Sequence, residues 1–394
     1  MERNYSVSKV FVAACAGIAI FGVAMLALGA ILSSLEARIP GAVQLPKYLS
    51  VGIIIGTLLF GPVVDKFGYK WILITASIAA LAGLVGLALI NDIALLTICI
   101  IVLGIGGGIL NGETSALVSV IYDDKRRGSR MSIMSSFYCF GALCWTLSCS
   151  LIENYLIPLS VAIVLTALFI IYFCAIKFPK PQGENNVSYL EAAKLLRFPA
   201  LLLFAFVLFF QSGLEGAAGN FATKFYTDWG VNASEAIFTL TMYTLGMFLC
   251  RVLLGALIGK VKDITLLVGF LSFALAGTLL TLFPMSSPLA PHLSMFLIGF
   301  GCGATFPIIL SRVGASFQER TGSAFSAAMF VALCGNYTFN FATEEAFQMG
   351  GHMQPLFEIG SVGINMYALI LFVIVLAMML LIPVAIRVAK NFKG

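Results

Sequence analysis

Charge is scarce in this sequence. Of 394 residues only 10% are acidic or basic, against 60% that are hydrophobic, and the mean hydropathy is +1.02. A soluble globular chain carries about 25% charged residues, so this composition excludes a water-soluble fold of this size. Histidine is nearly absent: only His292 and His352 occur, which argues against a histidine proton relay or a metal site, and no metal cofactor is expected. The nine cysteines are scattered through apolar segments with no CxxC pair. They read as small buried hydrophobes rather than a disulfide framework. No phosphate-cradling loop and no nucleophile–base pair is present, so the chain is not expected to be an enzyme. No small-residue cleavage site follows MERNYSVSK, and the first apolar segment is expected to stay in the chain. The ten-residue alternation of a transmembrane barrel is also missing.

What is present is apolar length. A helix crosses a bilayer with about 20 apolar residues. Twelve such segments can be placed, at roughly 9–33, 48–65, 71–90, 93–121, 130–151, 155–176, 199–225, 235–258, 264–283, 290–312, 322–345 and 362–388. They must be helical because each backbone polar group has to be satisfied within its own segment. The fold class is therefore an all-α polytopic membrane protein with twelve transmembrane helices.

Basic residues set the orientation. They gather before the first span, between spans 2 and 3, between 4 and 5, around residues 177–197, and after spans 8, 10 and 12. The opposite loops hold only Arg38, Lys47 and Lys224. Both termini are expected on the cytoplasmic side of the inner membrane, and the net charge of +5 reflects this topology rather than nucleic-acid binding. The longest polar stretch, Phe178 to Pro199, has six spans on either side. It divides the chain into a bundle at 1–177, a cytoplasmic linker at 178–198 and a bundle at 199–394. Within the linker SYLEAAKLLR reads as a short amphipathic surface helix.

The two halves repeat. Gly61 and Gly255 stand 194 positions apart, as do Lys66 and Lys260. Gly128, Ser129 and Ser132 recur at the same offset as Gly322, Ser323 and Ser326. GIGGG, Gly104 to Gly108, recurs 195 positions on as GFGCG, Gly299 to Gly303. Matches at nearly one offset point to two parallel six-helix repeats.

The stretch GPVVDKFGYKW, Gly61 to Trp71, resembles the signature loop of the major facilitator superfamily. Gly61, Asp65, Lys66, Gly68 and Lys70 match its pattern of glycines, an aspartate and basic residues. The resemblance covers the whole chain and implies the fold of two pseudo-symmetric six-helix halves, with this loop latching the cytoplasmic gate. In the second copy Gly259 replaces the aspartate, and Arg251, one turn before Gly255, is the candidate to supply a charge there. The fold implies that the first, fourth, seventh and tenth helices line a central cavity.

A charge at mid-bilayer costs roughly 2.5–3.5 kcal/mol on insertion scales, so embedded ionisable residues are functional candidates by default. Glu113 in span 4 and Glu215 in span 7 qualify best, as proton-coupling groups. Asn111 lies about 200° around the helix from Glu113, so the two cannot face the same way. Glu113 is taken as the cavity group and Asn111 as an interhelical hydrogen bonder that also borders the substrate site. Gln211 shares a face with Glu215. Asn336, Asn340 and Thr343 form a polar stripe in span 11, which Glu344 extends. In span 5, Tyr138, Gly141 and Trp145 share one side, which suits stacking on a sugar ring, with ordinary packing as the alternative. The substrate candidates are thus Asn111, Tyr138, Trp145, Gln211, Asn336 and Asn340.

Within the superfamily, the glycine-rich span 4 with Asn111 and Glu113 and the run Leu214–Gly219 resemble the fucose-permease-like sugar:proton symporters. That resemblance implies proton and sugar handling by the acid of span 4, here Glu113. The family also uses an aspartate in its first helix. This chain has no ionisable residue between Val10 and Leu35, and Glu215 is the candidate to take that role. The expected function is proton-coupled uptake of a sugar or sugar derivative by a monomer in the lipid bilayer, with sodium as an alternative coupling ion. Drug–proton antiport is the competing transport reading, although span 5 lacks the Gly-Pro motif common in those relatives. A non-transporting membrane sensor is the remaining alternative.

Overall fold

The computed structural model describes residues 5–122, 124–179, 194–258, 260–282, 289–317, 321–359 and 362–391. The chain divides into two compact units, 1–186 and 187–394, with the division inside the stretch read as a linker. Residues 180–193, which hold most of SYLEAAKLLR, lie outside the described residues, as does Gly259.

The first unit contains α1 (Val7–Arg38), α2 (Leu45–Phe67), α3 (Tyr69–Leu89), α4 (Ile93–Ile121), α5 (Asp124–Leu151) and α6 (Leu156–Ala175). The second contains α7 (Pro199–Asp228), α8 (Ala233–Leu257), α9 (Asp263–Leu282), α10a (Ala290–Cys302), α10b (Thr305–Ser316), α11 (Thr321–Gln348) and α12 (Met366–Asn391). Each span expected from the sequence coincides with helix over most of its length, but residues 362–364, expected to open the twelfth span, form a strand and the helix there begins at Met366. Among the described residues, eleven spans are long and apolar enough to cross a membrane. The twelfth, α11, is 28 residues long but carries Asn336, Asn340, Thr343, Glu344 and Glu345. Between α11 and α12 lies an antiparallel hairpin, β1 (Phe357–Ile359) paired with β2 (Val362–Ile364), with Phe357 opposite Ile364.

Local chemistry explains the helix ends. Asp92 caps α4 by accepting from Leu95 N at 2.8 Å, and Asn232 caps α8 by accepting from Ser234 N at 3.0 Å. Pro199 and Pro291 stand in the first turns of their helices, where no N–H is needed. The backbone of α5 is helical from Asp124, so the basic run assigned to a loop forms its first turns. The span at 290–312 is interrupted at Gly303–Ala304. Pro307 lacks an N–H, and its ring crowds the carbonyl four residues back, that of Gly303.

Each unit is organised around its glycine-rich helix. α4 packs on α1, α2 and α3, and α10a packs on α8 and α9. A side-chain carbon on Gly104 or Gly108 would collide with the α2 backbone at Leu49 and Ile53, and one on Gly106 with the α3 backbone at Ala76. In the second unit Gly299 abuts the α8 backbone at Tyr243, and Gly301 abuts α9 at Ala274. The repeat seen in the sequence is thus a repeat of contacts, each glycine admitting the equivalent neighbour at backbone distance. α1 pairs with α5 in the first unit as α7 pairs with α11 in the second.

Candidate functional site

The signature loop is built from the end of α2 and the start of α3. For residues 61–66 the structure describes the helical backbone, and the side chains of Asp65 and Lys66 lie outside the described residues, with Gly61 beside them. Gly68 separates the helices at φ 76, a backbone conformation that side chains with a Cβ rarely adopt. The Lys70 Nζ donates to the carbonyls of Cys174 at 2.6 Å and Ile176 at 3.1 Å. These carbonyls close α6, where a cation complements the helix dipole. Lys70 therefore ties α3 to the end of α6 within the first unit. Arg38 does the same at the other end. It donates to the carbonyls of Leu87 and Ile90 at the end of α3 and to the Tyr155 hydroxyl at 2.6 Å.

In α4 the structure places the two polar residues otherwise than expected. Glu113 has no accessible surface, and among the described residues neither carboxyl oxygen has a hydrogen-bond partner. Glu113 lies two turns beyond Gly106, on the face that packs against α3, and sits beside the Leu73 backbone. Asn111 is on a more open side. It is half-buried, and among the described residues its side chain makes no hydrogen bond, while its carbonyl accepts from Ser115 Oγ at 3.0 Å. The acid thus lies in helix packing and the amide nearer the open face.

The aromatic pair of α5 turns toward α1. The Trp145 Nε1 donates to Leu26 O at 2.9 Å, and the side chain is 3% exposed. Tyr138 is half-buried, with its ring 5.4 Å from that of Phe21. The close approach of α1 and α5 at Gly141 and Ala19 draws both rings inward.

The second unit gathers the other candidates into two groups. In the first, Glu215 Oε1 accepts from Gln211 Nε2 at 3.3 Å and lies 3.8 Å from Arg251 Nη2. Arg251, expected at the second copy of the loop latch, is drawn to this carboxylate instead. Cys302 of α10a lies in the field of both charges, and its Sγ is 3.7 Å from the Tyr243 hydroxyl. The break at Gly303 adjoins the same patch, since Gly303 packs against Cys250. In the second group, Asn220 donates to Asn340 Oδ1 at 3.1 Å, Asn340 donates to Asn336 Oδ1 at 2.9 Å, and Asn336 donates to Ser212 O at 2.9 Å. This ladder joins α7 to α11, and all three asparagines are at most 2% exposed. Gly216 makes room for it, since a Cβ there would lie 2.8 Å from both the Asn336 and the Asn340 amide nitrogens. Glu344 accepts from Gln348 at 2.8 Å.

Asn220 is not among the sequence-based candidates, although its i,i+4 spacing from Gly216 marks the ladder's face. Arg251 as the partner of Glu215 was legible as charge balance: an embedded acid in α7 calls for an embedded base nearby.

Comparison with known proteins places this architecture. The family model described as Major Facilitator Superfamily matches residues 10–336. The chain belongs to the Major Facilitator Superfamily, whose members are membrane transporters and not enzymes. It is 23% identical over 303 residues to the protein TsgA homolog of Edwardsiella ictaluri (strain 93-146), covering 73% of each chain. It is 24% identical over 371 residues to the inner membrane transport protein YdiN of Escherichia coli (strain K12), covering 87% of this chain and 85% of that one. Its fold resembles a D-xylose-proton symporter, with a TM-score of 0.79 at 15% identity over 95% of this chain and 97% of the other. It also resembles the E. coli fucose:proton symporter FucP, with a TM-score of 0.67 at 16% identity over 98% of both chains.

Proposed function

We propose that this multi-pass membrane protein carries a sugar or sugar derivative by alternating access, coupled to a proton. The observation that carries the reading is the Glu215–Arg251 pair at 3.8 Å, partly buried between α7 and α8 of the second unit. An ion pair held inside a membrane helix bundle is costly to keep, and a proton arriving at Glu215 changes its charge state directly. Glu215 is the proposed coupling acid. Glu113, packed against α3, is the secondary candidate, and sodium is the alternative coupling ion. The two fold neighbours are described as proton symporters of xylose and fucose, which supports the substrate class. The positive-inside pattern supports cytoplasmic termini, and the name of the YdiN relative supports an inner-membrane location. The proposed working unit is a monomer without a bound cofactor.

Counterflow in proteoliposomes with a panel of labelled sugars and sugar derivatives tests the substrate class. Exchange of at least one of them is expected. If none exchanges at any imposed pH gradient, the reading is wrong. Glu215→Gln is expected to abolish gradient-driven accumulation.

A further inference from the structure

Gln211 and Glu215 stand one turn apart on the same face of α7. The acid keeps an open side, since its side chain is 16% exposed. Gln211 is 1% exposed and is enclosed by the protein. Both described contacts of the carboxylate fall on one oxygen. Glu215 Oε1 accepts from Gln211 Nε2 at 3.3 Å and lies 3.8 Å from Arg251 Nη2. The amide is engaged at one end only. Its Nε2 donates, and its Oε1 is buried without a hydrogen-bond partner among the described residues. A buried acceptor without a donor is costly, and native structures keep few of them.

The groups around the acid do not relieve that oxygen. Gln211 lies on the acid's own helix, Arg251 comes from α8 and Cys302 from α10a, with Tyr243 and Cys250 of α8 beside Cys302. The Cys302 thiol donates to Gly299 O at 3.5 Å. The missing donor is a proton on Glu215 itself. A carboxylate repels a neighbouring amide oxygen, whereas a carboxylic acid binds it. An acid and a primary amide fit as a closed pair, with the amide N–H on one acid oxygen and the acid O–H on the amide oxygen. Half of such a pair is already made here, through a bond that is long at 3.3 Å. The last torsions of both side chains are soft, so a small rotation closes the other half.

We infer that Gln211 holds the transported proton on Glu215: in the protonated state Glu215 Oε2–H donates to Gln211 Oε1, and the two side chains close into a doubly bonded acid–amide pair. This rests on the reading of Glu215 as the coupling acid. The proton bonds to Oε2 on arriving from water and is returned to water on leaving, and no other covalent bond changes. The ionised acid keeps one bond from Gln211 together with the charge of Arg251. The neutral acid has two bonds with Gln211. Gln211 is thus a positioning residue that acts through Glu215 and does not read the substrate.

The test is acid-induced infrared difference spectroscopy on the full chain in proteoliposomes. Acidification should bring up a protonated carboxyl band that is absent in Glu215→Gln. Gln211→Met keeps the side-chain length and removes both hydrogen bonds, so the band should move to higher frequency. The neutral acid loses two bonds in this variant and the ionised acid one. The pH of half-maximal accumulation should therefore fall by about 0.4–1 unit. If the band belongs to Glu215 but stays in place in folded Gln211→Met, or if that pH does not fall, the inference is overturned while the coupling role of Glu215 stands. If the band persists in Glu215→Gln, the coupling reading falls and this inference with it. A raised substrate KM in Gln211→Met at saturating acidity would place Gln211 on the substrate and overturn its positioning role. A second measurement needs no substitution. In wild-type protein made by cell-free synthesis with glutamine isotopically labelled in its side-chain amide, an amide band should shift together with the carboxyl band. Labelled amide bands that acid leaves unchanged would overturn the inference.

Discussion

Asn340 donates its side-chain amide to Asn336 Oδ1 at 2.9 Å, and through that bond the polar stripe of α11 becomes part of a ladder to α7. Two residues that composition marked as sugar readers are thus engaged in holding helices together. Asn340→Ala removes the middle rung and leaves Asn336 Oδ1 and Asn220 Nδ2 without this partner. Interhelical hydrogen bonds in membranes are worth about 0.6–2 kcal/mol. A lower melting temperature in detergent is expected, and an unchanged one would show that the ladder is incidental.

Gly216 gives a steric check on the same ladder. Its Cβ position lies 2.8 Å from both asparagine amides, so Gly216→Ala should force the rungs apart and destabilise the protein by about 1–3 kcal/mol. Among the described residues, nothing lies within 4 Å of the Cβ position of Gly269 in α9. Gly269→Ala should be neutral, or stabilising by up to about 1 kcal/mol through helix propensity. The opposite responses of these two helical glycines, read by thermal unfolding, separate packing from propensity.

Trp145 distinguishes a structural indole from a stacking one. Trp145→Phe keeps an aromatic ring and loses the 2.9 Å bond to Leu26 O. A stability loss of about 0.5–1.5 kcal/mol with an unchanged KM for the transported substrate is expected. A raised KM with unchanged stability would put the ring on the substrate.

Lys70 closes α6 through the carbonyls of Cys174 and Ile176. Lys70→Met should cost about 0.3–1 kcal/mol, and Lys70→Arg should recover part of it. Hydrogen exchange at the last turn of α6 reads the effect locally, and unaltered protection there would mean that the cap is dispensable.

The sequence exposed some features of this molecule and hid others for physical reasons. The spans were legible because apolar length follows from bilayer thickness. The repeat was legible because backbone-to-backbone contact demands glycine at fixed register, at Gly104 and Gly106 and again at Gly299 and Gly301. The face of α4 that holds Glu113 was not, because the choice between two opposite faces depends on which neighbour helix packs there. Nor could composition tell that Asn336 and Asn340 meet Asn220, since an amide in a membrane helix serves a partner helix or a solute with the same atoms. The break between α10a and α10b is encoded by Pro307, which apolar length alone does not register. Arg251 was assigned to the loop by its position near Gly255, but its long side chain joins the carboxylate of Glu215 instead.

Glu113→Gln separates the two embedded acids. Neither Glu113 oxygen has a partner among the described residues, so the isosteric amide forfeits no hydrogen bond. Gradient-driven accumulation is expected to survive in this variant. Its loss in a folded Glu113→Gln protein would move the coupling role to the first unit.

The most direct measurement is proton movement itself. Lightly buffered proteoliposomes with a pH dye inside report acidification of the lumen when substrate is added outside. The wild type should acidify in proportion to the solute taken up, and Glu215→Gln should take up no accompanying protons. Equal proton uptake by wild type and Glu215→Gln would contradict the account.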